Sequence, residues 1–351
     1  MEMNFNREIK IGNFNVDFTS RTFVIAEAGV NHNGNMDCAK LMIDAAVASG
    51  ADAVKFQTYK TEDLILKDIK KAPYQQVTTN RAESQYEMLK KLEISREQTA
   101  ELMDYCRKKG IIFLSTPFEK KSLDELDGLG VCAFKVAATD LTNIQFLRQV
   151  AKKHKPIVLS AGMCYLEEVR RALEAIYPIN KDVILLQCTA DYPIQDSEAN
   201  INVIRTFQEA FDMHIGYSDH SQGVGASPYA VALGAKVIEK HFTLDKNMEG
   251  PDQKASVTPS ELKRLVEDIR RVEKYLGDGI KMPSCSEQMN RKSLQKCLVA
   301  SREIRAGEKF SAENIVAKRT NGMGIIALYY DNIVGRIAGK NYSKNEIIQL
   351  E

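Results

Sequence analysis

FVIAEAGVNHNGNMDCAKLMIDAAVASGADAVKFQTY (residues 23–59) reads as strand, helix and strand, and each of its two apolar runs finishes in polar or charged residues. The same ending recurs in IFLSTPF (112–118), AFKVAATD (133–140), PIVLSAG (156–162), VILLQCT (183–189), HIGYSDH (214–220) and VIEKHFT (237–243). Most of these runs are separated by an amphipathic stretch of helix length. Strands that alternate with helices pair in parallel, with both faces of the sheet covered. Eight such units are the number that closes a parallel sheet into a barrel, with functional groups at the carboxyl ends of the strands. The predicted fold is α/β: a (β/α)8 TIM barrel over residues 1–280.

Composition narrows the function classes. A chain of 351 residues suits one large domain and a small one, and 44% apolar content supports a full core. The longest apolar runs are strand-sized, so no membrane span is expected. The start, MEMNFNREIKIGNF, lacks a signal-peptide pattern. Seven scattered cysteines without a CxxC suit reduced thiols in a cytoplasm. A net charge of +1 draws in neither nucleic acid nor membrane, so an anionic substrate must be held by local charge.

Ser95 with Gln98 forms a capping-box pattern before a helix that Gly110 terminates. The stretch from Tyr59 to Ile111 is far longer than one helix needs. Its first part, KTEDLILKDIKKAPYQQ (60–76), reads as an inserted loop over the barrel mouth, either a lid or a structural excursion. The strand–helix rhythm ends near Gly277. A polar linker is expected at 281–292, then a small β-rich domain at 293–351, where LVASREIRAGEKFSAENIVAKR (298–319) and IVGRIAGKNYSKNEIIQLE (333–351) are broken by turn residues. At about sixty residues that domain is marginal alone and needs a surface to pack on.

Residues i and i+2 of a strand share a face. Lys55/Gln57, Ser218/His220 and Glu239/His241 are pairs of this kind at strand ends, and Glu27, Thr116, Lys135 and Ser160 stand at matching heights. One such group could be a satisfied core ion pair. Seven strands carrying them together are hard to explain structurally, because desolvating that many charges is costly. His220 and His241 end neighbouring strands and are candidate ligands of one divalent ion; alternatively one is a general base and the other its partner. His32 either lines the site or caps the next helix, and His154 among lysines reads as a surface residue. Lys55 and Lys135, with hydroxyls from Thr116, Ser160 and Ser218, describe a phosphate or carboxylate cradle. Glu27, Asp140 and Glu239 offer acceptors for sugar hydroxyls or proton transfer.

The segments IAEAGVNHNG, GADAVKFQTYK, KAPYQ, ESQYEMLKKLE, FLSTPF, LSAGM, GYSDHS, LGAKVIEKHFTLDKNMEGPD and IRAGEKFSAENIVAKR resemble the bacterial sialic acid synthases. That family includes the N-acetylneuraminate synthases and their legionaminic and pseudaminic relatives. The resemblance spans nearly the whole chain, and the last sixty residues resemble the family's antifreeze-like (SAF) domain. It implies a transferase condensing phosphoenolpyruvate with an open-chain N-acylated amino sugar, giving a nine-carbon 2-keto acid and phosphate. N-acetylmannosamine, and hence N-acetylneuraminate synthesis, is the first expectation; a 2,4-diacetamido sugar, and legionaminate or pseudaminate synthesis, is the alternative.

By the same resemblance His220 and His241 would hold the metal, Mn2+ by expectation, with Mg2+ or Co2+ possible. Lys55, Thr116, Lys135, Ser160 and Ser218 would surround phosphoenolpyruvate. Glu27, Gln57, Asp140, Tyr192 and Glu239 would contact the sugar or the attacking water, and Glu27, Lys55, Gln57 and Asp140 would carry the catalysis. Arg319 matches an arginine lent to the sugar site by the partner in a domain-swapped homodimer. The chain departs from the family where a serine is usual, at Ala138, and where a polar residue is usual, at Ala190; Thr320 follows the arginine in place of proline. Two further readings stand beside this one. Condensation onto a phosphorylated sugar would need a second basic cluster, which the barrel mouth lacks. An inactive barrel-fold binding protein has only the two alanines in its favour.

Overall fold

All eight apolar runs are strands of one parallel sheet: β1 Phe23–Gly29, β2 Ala53–Thr58, β3 Ile112–Pro117, β4 Phe134–Val136, β5 Ile157–Ser160, β6 Val183–Cys188, β7 His214–Asp219 and β8 Val237–His241. The computed structural model describes residues 3–79 and 82–349. The ladder order is β3-β2-β1-β8-β7-β6-β5-β4, with β8 returning to pair with β1. β3 and β4, the two ends of that order, lie side by side and complete the ring. The outward faces of the strands and the inward stripes of the helices form the larger core, with Ile215, Tyr217, Ile238 and Phe242 among its members.

The helices follow their sequence signals. Ser95 caps Arg96–Lys109 reciprocally with Gln98: its hydroxyl accepts from the Gln98 N–H at 3.2 Å, and Gln98 Oε1 accepts from the Ser95 N–H at 2.7 Å. Gly110, at φ 74°, ends that helix in the left-handed conformation. The excursion after β2 holds three short helices, Thr61–Leu64, Pro73–Thr78 and Gln85–Leu92. Buried Lys71 pairs with Glu83 at 2.8 Å and anchors it internally. All seven cysteines are free. No described helix is long and apolar enough to cross a membrane.

One element lies outside the sequence expectation. Ile9–Ile11 and Phe14–Val16 form an antiparallel hairpin. Its Ile9, Ile11 and Val16 are wholly buried among Phe23, Ile25, Leu114, Val158, Ile184, Leu186 and Val237, inward residues at the strand starts. The hairpin therefore plugs the amino-terminal end of the barrel and leaves the carboxyl end for the site.

The chain divides into two compact units, Met1–Gly277 and Asp278–Glu351. Residues 281–292, expected as linker, are not extended: Cys285–Leu294 is a helix capped by Ser284, whose hydroxyl accepts from the Glu287 N–H at 3.2 Å. None of that helix's residues is buried, so its polar composition reads as linker although its cap is well formed. The rest of the second unit is β-rich. Lys296–Ala300 pairs antiparallel with Ile315–Arg319 over a core of Leu298, Ile304, Phe310, Ile315, Tyr342 and Ile348.

Candidate active site

The parallel registers bring the polar strand ends together. Glu27 stands opposite Lys55 across β1 and β2, and Gln57 opposite Thr116 across β2 and β3. Ser218 faces Glu239 across β7 and β8, while His241 faces Glu27 across β8 and β1. Period-two alternation turns these side chains into the barrel. They line one cavity of about 420 Å³ with Lys135, Ser160, Tyr192 and His220.

The floor of the cavity is a buried charge network. Lys55 Nζ lies 2.8 Å from Glu27 Oε2 and 3.6 Å from Glu239 Oε2, and donates to Thr116 Oγ1 at 3.0 Å. Lys135 Nζ lies 3.5 Å from Glu239 Oε1, which also accepts from Ser218 Oγ at 3.0 Å. Gln57 Nε2 donates to Glu27 Oε1 at 3.4 Å. The Ser160 hydroxyl is buried in the cavity wall without a hydrogen-bond partner, which leaves it free to donate.

Burial pushes Glu27 well above the usual carboxylate range, against the pull of Lys55. Burial also works to raise Glu239, but Lys135 and Lys55 outweigh it and hold that carboxyl low. Lys135 is depressed by burial, while Glu239 and Glu27 overcome the same burial at Lys55 and raise it. A cradle whose Glu27 accepts a proton readily carries excess positive charge, which suits an anion.

At the rim, the rings of His220 and His241 stand 5.6 Å apart. His220 Nδ1 is 2.6 Å from the Thr189 carbonyl, which can only accept, so Nδ1 carries the proton and Nε2 keeps its lone pair. Burial lowers His220 to about 4 and takes His241 well below its ordinary value, so both rings are neutral. His241 Nδ1 is buried without a hydrogen bond, 4.0 Å from Asp252 Oδ2. Two neutral imidazoles with free nitrogens fit a divalent ion. Among the described residues no three His, Cys, Asp or Glu side chains converge as a ligand set, so substrate and water would supply the remaining positions. The Tyr192 ring lies tilted against His220, with centroids 4.1 Å apart, and against Tyr74 of the excursion at 5.1 Å.

Asp140 is the exception among the barrel residues expected here. β4 stops at Val136 and a 3-10 turn, Ala138–Asp140, follows, so period-two alternation no longer sets where Asp140 points. Its carboxylate accepts from Asn143 Nδ2 at 3.3 Å and does not line the cavity. Arg319 belongs to the second unit, exposed at the end of its strand. His32 is buried off the cavity wall and its Nδ1 accepts from the Gly34 N–H at 3.0 Å, so it organises the loop after β1. His154 is exposed.

Several wall residues were not singled out from the sequence: Asp252, Tyr74, Gln75 and Cys188. Asp252 closes the EGPD segment after β8, and burial raises its carboxyl to about 6. Much of the remaining lining is apolar: Val30, Tyr59, Leu64, Met88, Leu89 and Phe118 pack as one cluster, and Ile65, Ala137, Ala138, Met163 and Ala190 also line the cavity. Gly29, at φ +54°, sits where the β1–β2 register shifts; a Cβ there would lie 3.4 Å from Glu27 Oε1 and 3.5 Å from both Gln57 Nε2 and His241 Cε1.

Residues 42–281 match the NeuB family and residues 295–351 the SAF domain. The chain is 47% identical over 332 residues to N,N'-diacetyllegionaminic acid synthase of Campylobacter jejuni, covering 94% of this chain and 99% of that protein. It is 41% identical over 334 residues to the enzyme of the same name from Legionella pneumophila, covering 94% of each. A solved structure of N-acetylneuraminic acid (sialic acid) synthetase from Leptospira borgpetersenii, in complex with citrate, matches with a TM-score of 0.74 at 34% identity, covering 83% of this chain and 98% of that one. The chain belongs to the NeuB family of sialic-acid-type synthases and carries its SAF domain.

Proposed function

We propose that this NeuB-family chain condenses phosphoenolpyruvate with an open-chain 2,4-diacetamido sugar, giving an N,N'-diacetyllegionaminate-type nine-carbon 2-keto acid and phosphate. The observation that carries this reading is the two-sided cavity: a floor of paired lysines, carboxylates and hydroxyls under apolar walls. The floor suits the phosphate and carboxylate of phosphoenolpyruvate. The walls suit a sugar in which acetamido and methyl groups replace hydroxyls. A Cβ at Gly162 would lie 3.2 Å from Ala138 Cβ and 3.3 Å from Ala190 Cβ, so these residues form a close apolar recess where polar ones were expected. N-acetylneuraminate synthesis, the first expectation from sequence, is the less supported: the two legionaminic relatives are 47% and 41% identical, against 34% for the sialic acid synthetase.

In this reading Lys55, Lys135, Thr116, Ser160 and Ser218 hold phosphoenolpyruvate. Its C3 attacks the aldehyde carbon of the sugar, the aldehyde oxygen takes up a proton, and the cation left at C2 is captured by water. Glu27, with its raised proton affinity and Gln57 beside it, accepts a proton from that water. The resulting hemiketal phosphate collapses to the 2-keto acid, with phosphate leaving by C–O cleavage. His220 and His241 would hold the divalent ion, Mn2+ by expectation, whose Lewis acidity would polarise the aldehyde. Asp252, Tyr192 and Tyr74 would face the sugar. A domain-swapped homodimer, in which a second copy supplies Arg319, completes the reading.

The test is phosphate release with phosphoenolpyruvate and Mn2+, using N-acetylmannosamine and 2,4-diacetamido sugars in parallel, with each product weighed by mass spectrometry. Preference for the diacetamido sugar is expected. Preference for N-acetylmannosamine overturns the sugar assignment, and turnover with neither returns the inactive binding protein as the better reading.

A further inference from the structure

The outward-facing residues of β7 and β8 are apolar except at their last positions. Ile215, Tyr217 and Ile238, with Phe242 just beyond β8, belong to the core between barrel and helices, but Asp219 and Lys240 carry charges there. Both side chains are 0% exposed, and Lys240 Nζ lies 3.3 Å from Asp219 Oδ1. They are register partners across the ladder, on the opposite face from the cavity, and neither lines it. A wholly desolvated ion pair is seldom the most stable filling for such a place, since apolar residues of similar volume do as well or better. Its location suggests another role: Asp219 immediately precedes His220, and Lys240 immediately precedes His241.

The surrounding bonds act on the same two positions. Asp219 Oδ1 accepts from the Ser221 N–H at 2.9 Å and from its hydroxyl at 2.5 Å; Oδ2 accepts from the Ser227 N–H at 3.0 Å and from its hydroxyl at 2.6 Å. Lys240 Nζ donates to the Ser221 carbonyl. The Ser221 hydroxyl accepts in turn from the Ala226 N–H at 3.1 Å. His220 therefore lies between two residues fixed by one carboxylate, and that carboxylate is tied to the residue before His241. We infer that the Asp219–Lys240 pair is a positioning device that sets the orientation and separation of the His220 and His241 imidazoles. This rests, for its chemical purpose, on the reading of those rings as metal ligands.

The test is the double variant Asp219→Asn/Lys240→Gln, which removes both buried charges together and so avoids leaving one unpaired. The chain has only five histidines, so the ring-nitrogen NMR signals of the metal-free protein can be assigned individually. The His220 and His241 signals are expected to shift while that of His154 stays, and Mn2+ affinity is expected to fall about tenfold or more, as when groups that orient metal ligands are lost. Unmoved signals with affinity within about twofold of wild type overturn the inference. A double variant that fails to fold hands the decision to Ser227→Ala, which strips one hydroxyl from Asp219 and keeps both charges. A fall of about threefold or more in Mn2+ affinity is then expected, and wild-type affinity is the overturning result. A wild-type chain that binds no Mn2+ ends the metal reading alone, because the signals of the metal-free rings still decide the positioning role.

Discussion

Lys55 Nζ sits 2.8 Å from Glu27 Oε2, its register partner on the adjacent strand, and both side chains are almost wholly buried. The lysine has further contacts with Glu239 and Thr116, while Glu27 also accepts from Gln57 Nε2 at 3.4 Å. Losing the Glu27 charge therefore leaves Lys55 partnered. Glu27→Gln is expected to lower kcat by between about a hundred- and ten-thousand-fold, the range for removing a proton acceptor. Phosphoenolpyruvate binding, read by calorimetry, should be retained. A variant with wild-type turnover would remove Glu27 from proton transfer.

Gly29→Ala sets a methyl group into the site from a backbone that favours glycine. With φ at +54° and three functional side chains within 3.5 Å of the added carbon, a loss of about 1–2 kcal/mol in urea unfolding is expected. Turnover should drop further than that strain implies, because the added methyl would touch Glu27, Gln57 and His241 and take up space between them. Equal stability and activity to wild type would show that the contact is soft.

The apolar wall predicts a split between the two substrates. Leu64→Asn should raise KM for a 2,4-diacetamido sugar about tenfold, the scale of one lost apolar contact in a pocket, with KM for phosphoenolpyruvate unchanged. Equal changes in both constants would place Leu64 away from the sugar.

His32 makes stability pH-dependent. Burial lowers it from 6.5 to about 4, so between those values the unfolded chain binds a proton that the folded chain refuses. Its contribution is complete above about 6.5 and is lost as pH falls through about 4. His32→Asn keeps an acceptor for the Gly34 N–H without a titrating group. Between pH 7 and 4 its urea stability should fall less than that of wild type, by up to about 3 kcal/mol. Parallel curves would assign the acid loss to other groups.

The proposed exchange of Arg319 between copies predicts complementation. Arg319→Ala and His241→Ala should each be nearly inactive, and mixing them after partial unfolding and refolding should restore activity above either alone. No recovery, with heterodimers demonstrated by native mass spectrometry, would count against a shared site.

The barrel was legible because strand alternation and strand endings are local properties. That rule says nothing of Asp140, whose expected place near the sugar comes from the family resemblance: β4 ends at Val136 and a turn has no period of two. Cys188 follows Ile184 and Leu186 at that period, yet a small apolar side chain does not announce a cavity wall. Asp252 reaches the site on a loop and Tyr74 and Gln75 on the short helix Pro73–Thr78 of the excursion, and the course of both depends on tertiary contacts such as Thr78 Oγ1 donating to the Pro251 carbonyl at 3.2 Å. The amino-terminal hairpin does carry a signal, alternation around Gly12 and Asn13. Two three-residue strands hold together only once a barrel floor exists for them to cover.

That floor has a kinetic consequence. A tube stoppered at one end is a cul-de-sac, and everything that reacts in it queues at a single doorway. Ser218 and Glu239 precede the rim histidines by two residues on their own strands and so lie further in. Whichever molecule rests against them must arrive before its co-substrate shuts the way behind it, and traffic through this protein should be sequential in a fixed order, whatever the two intrinsic affinities.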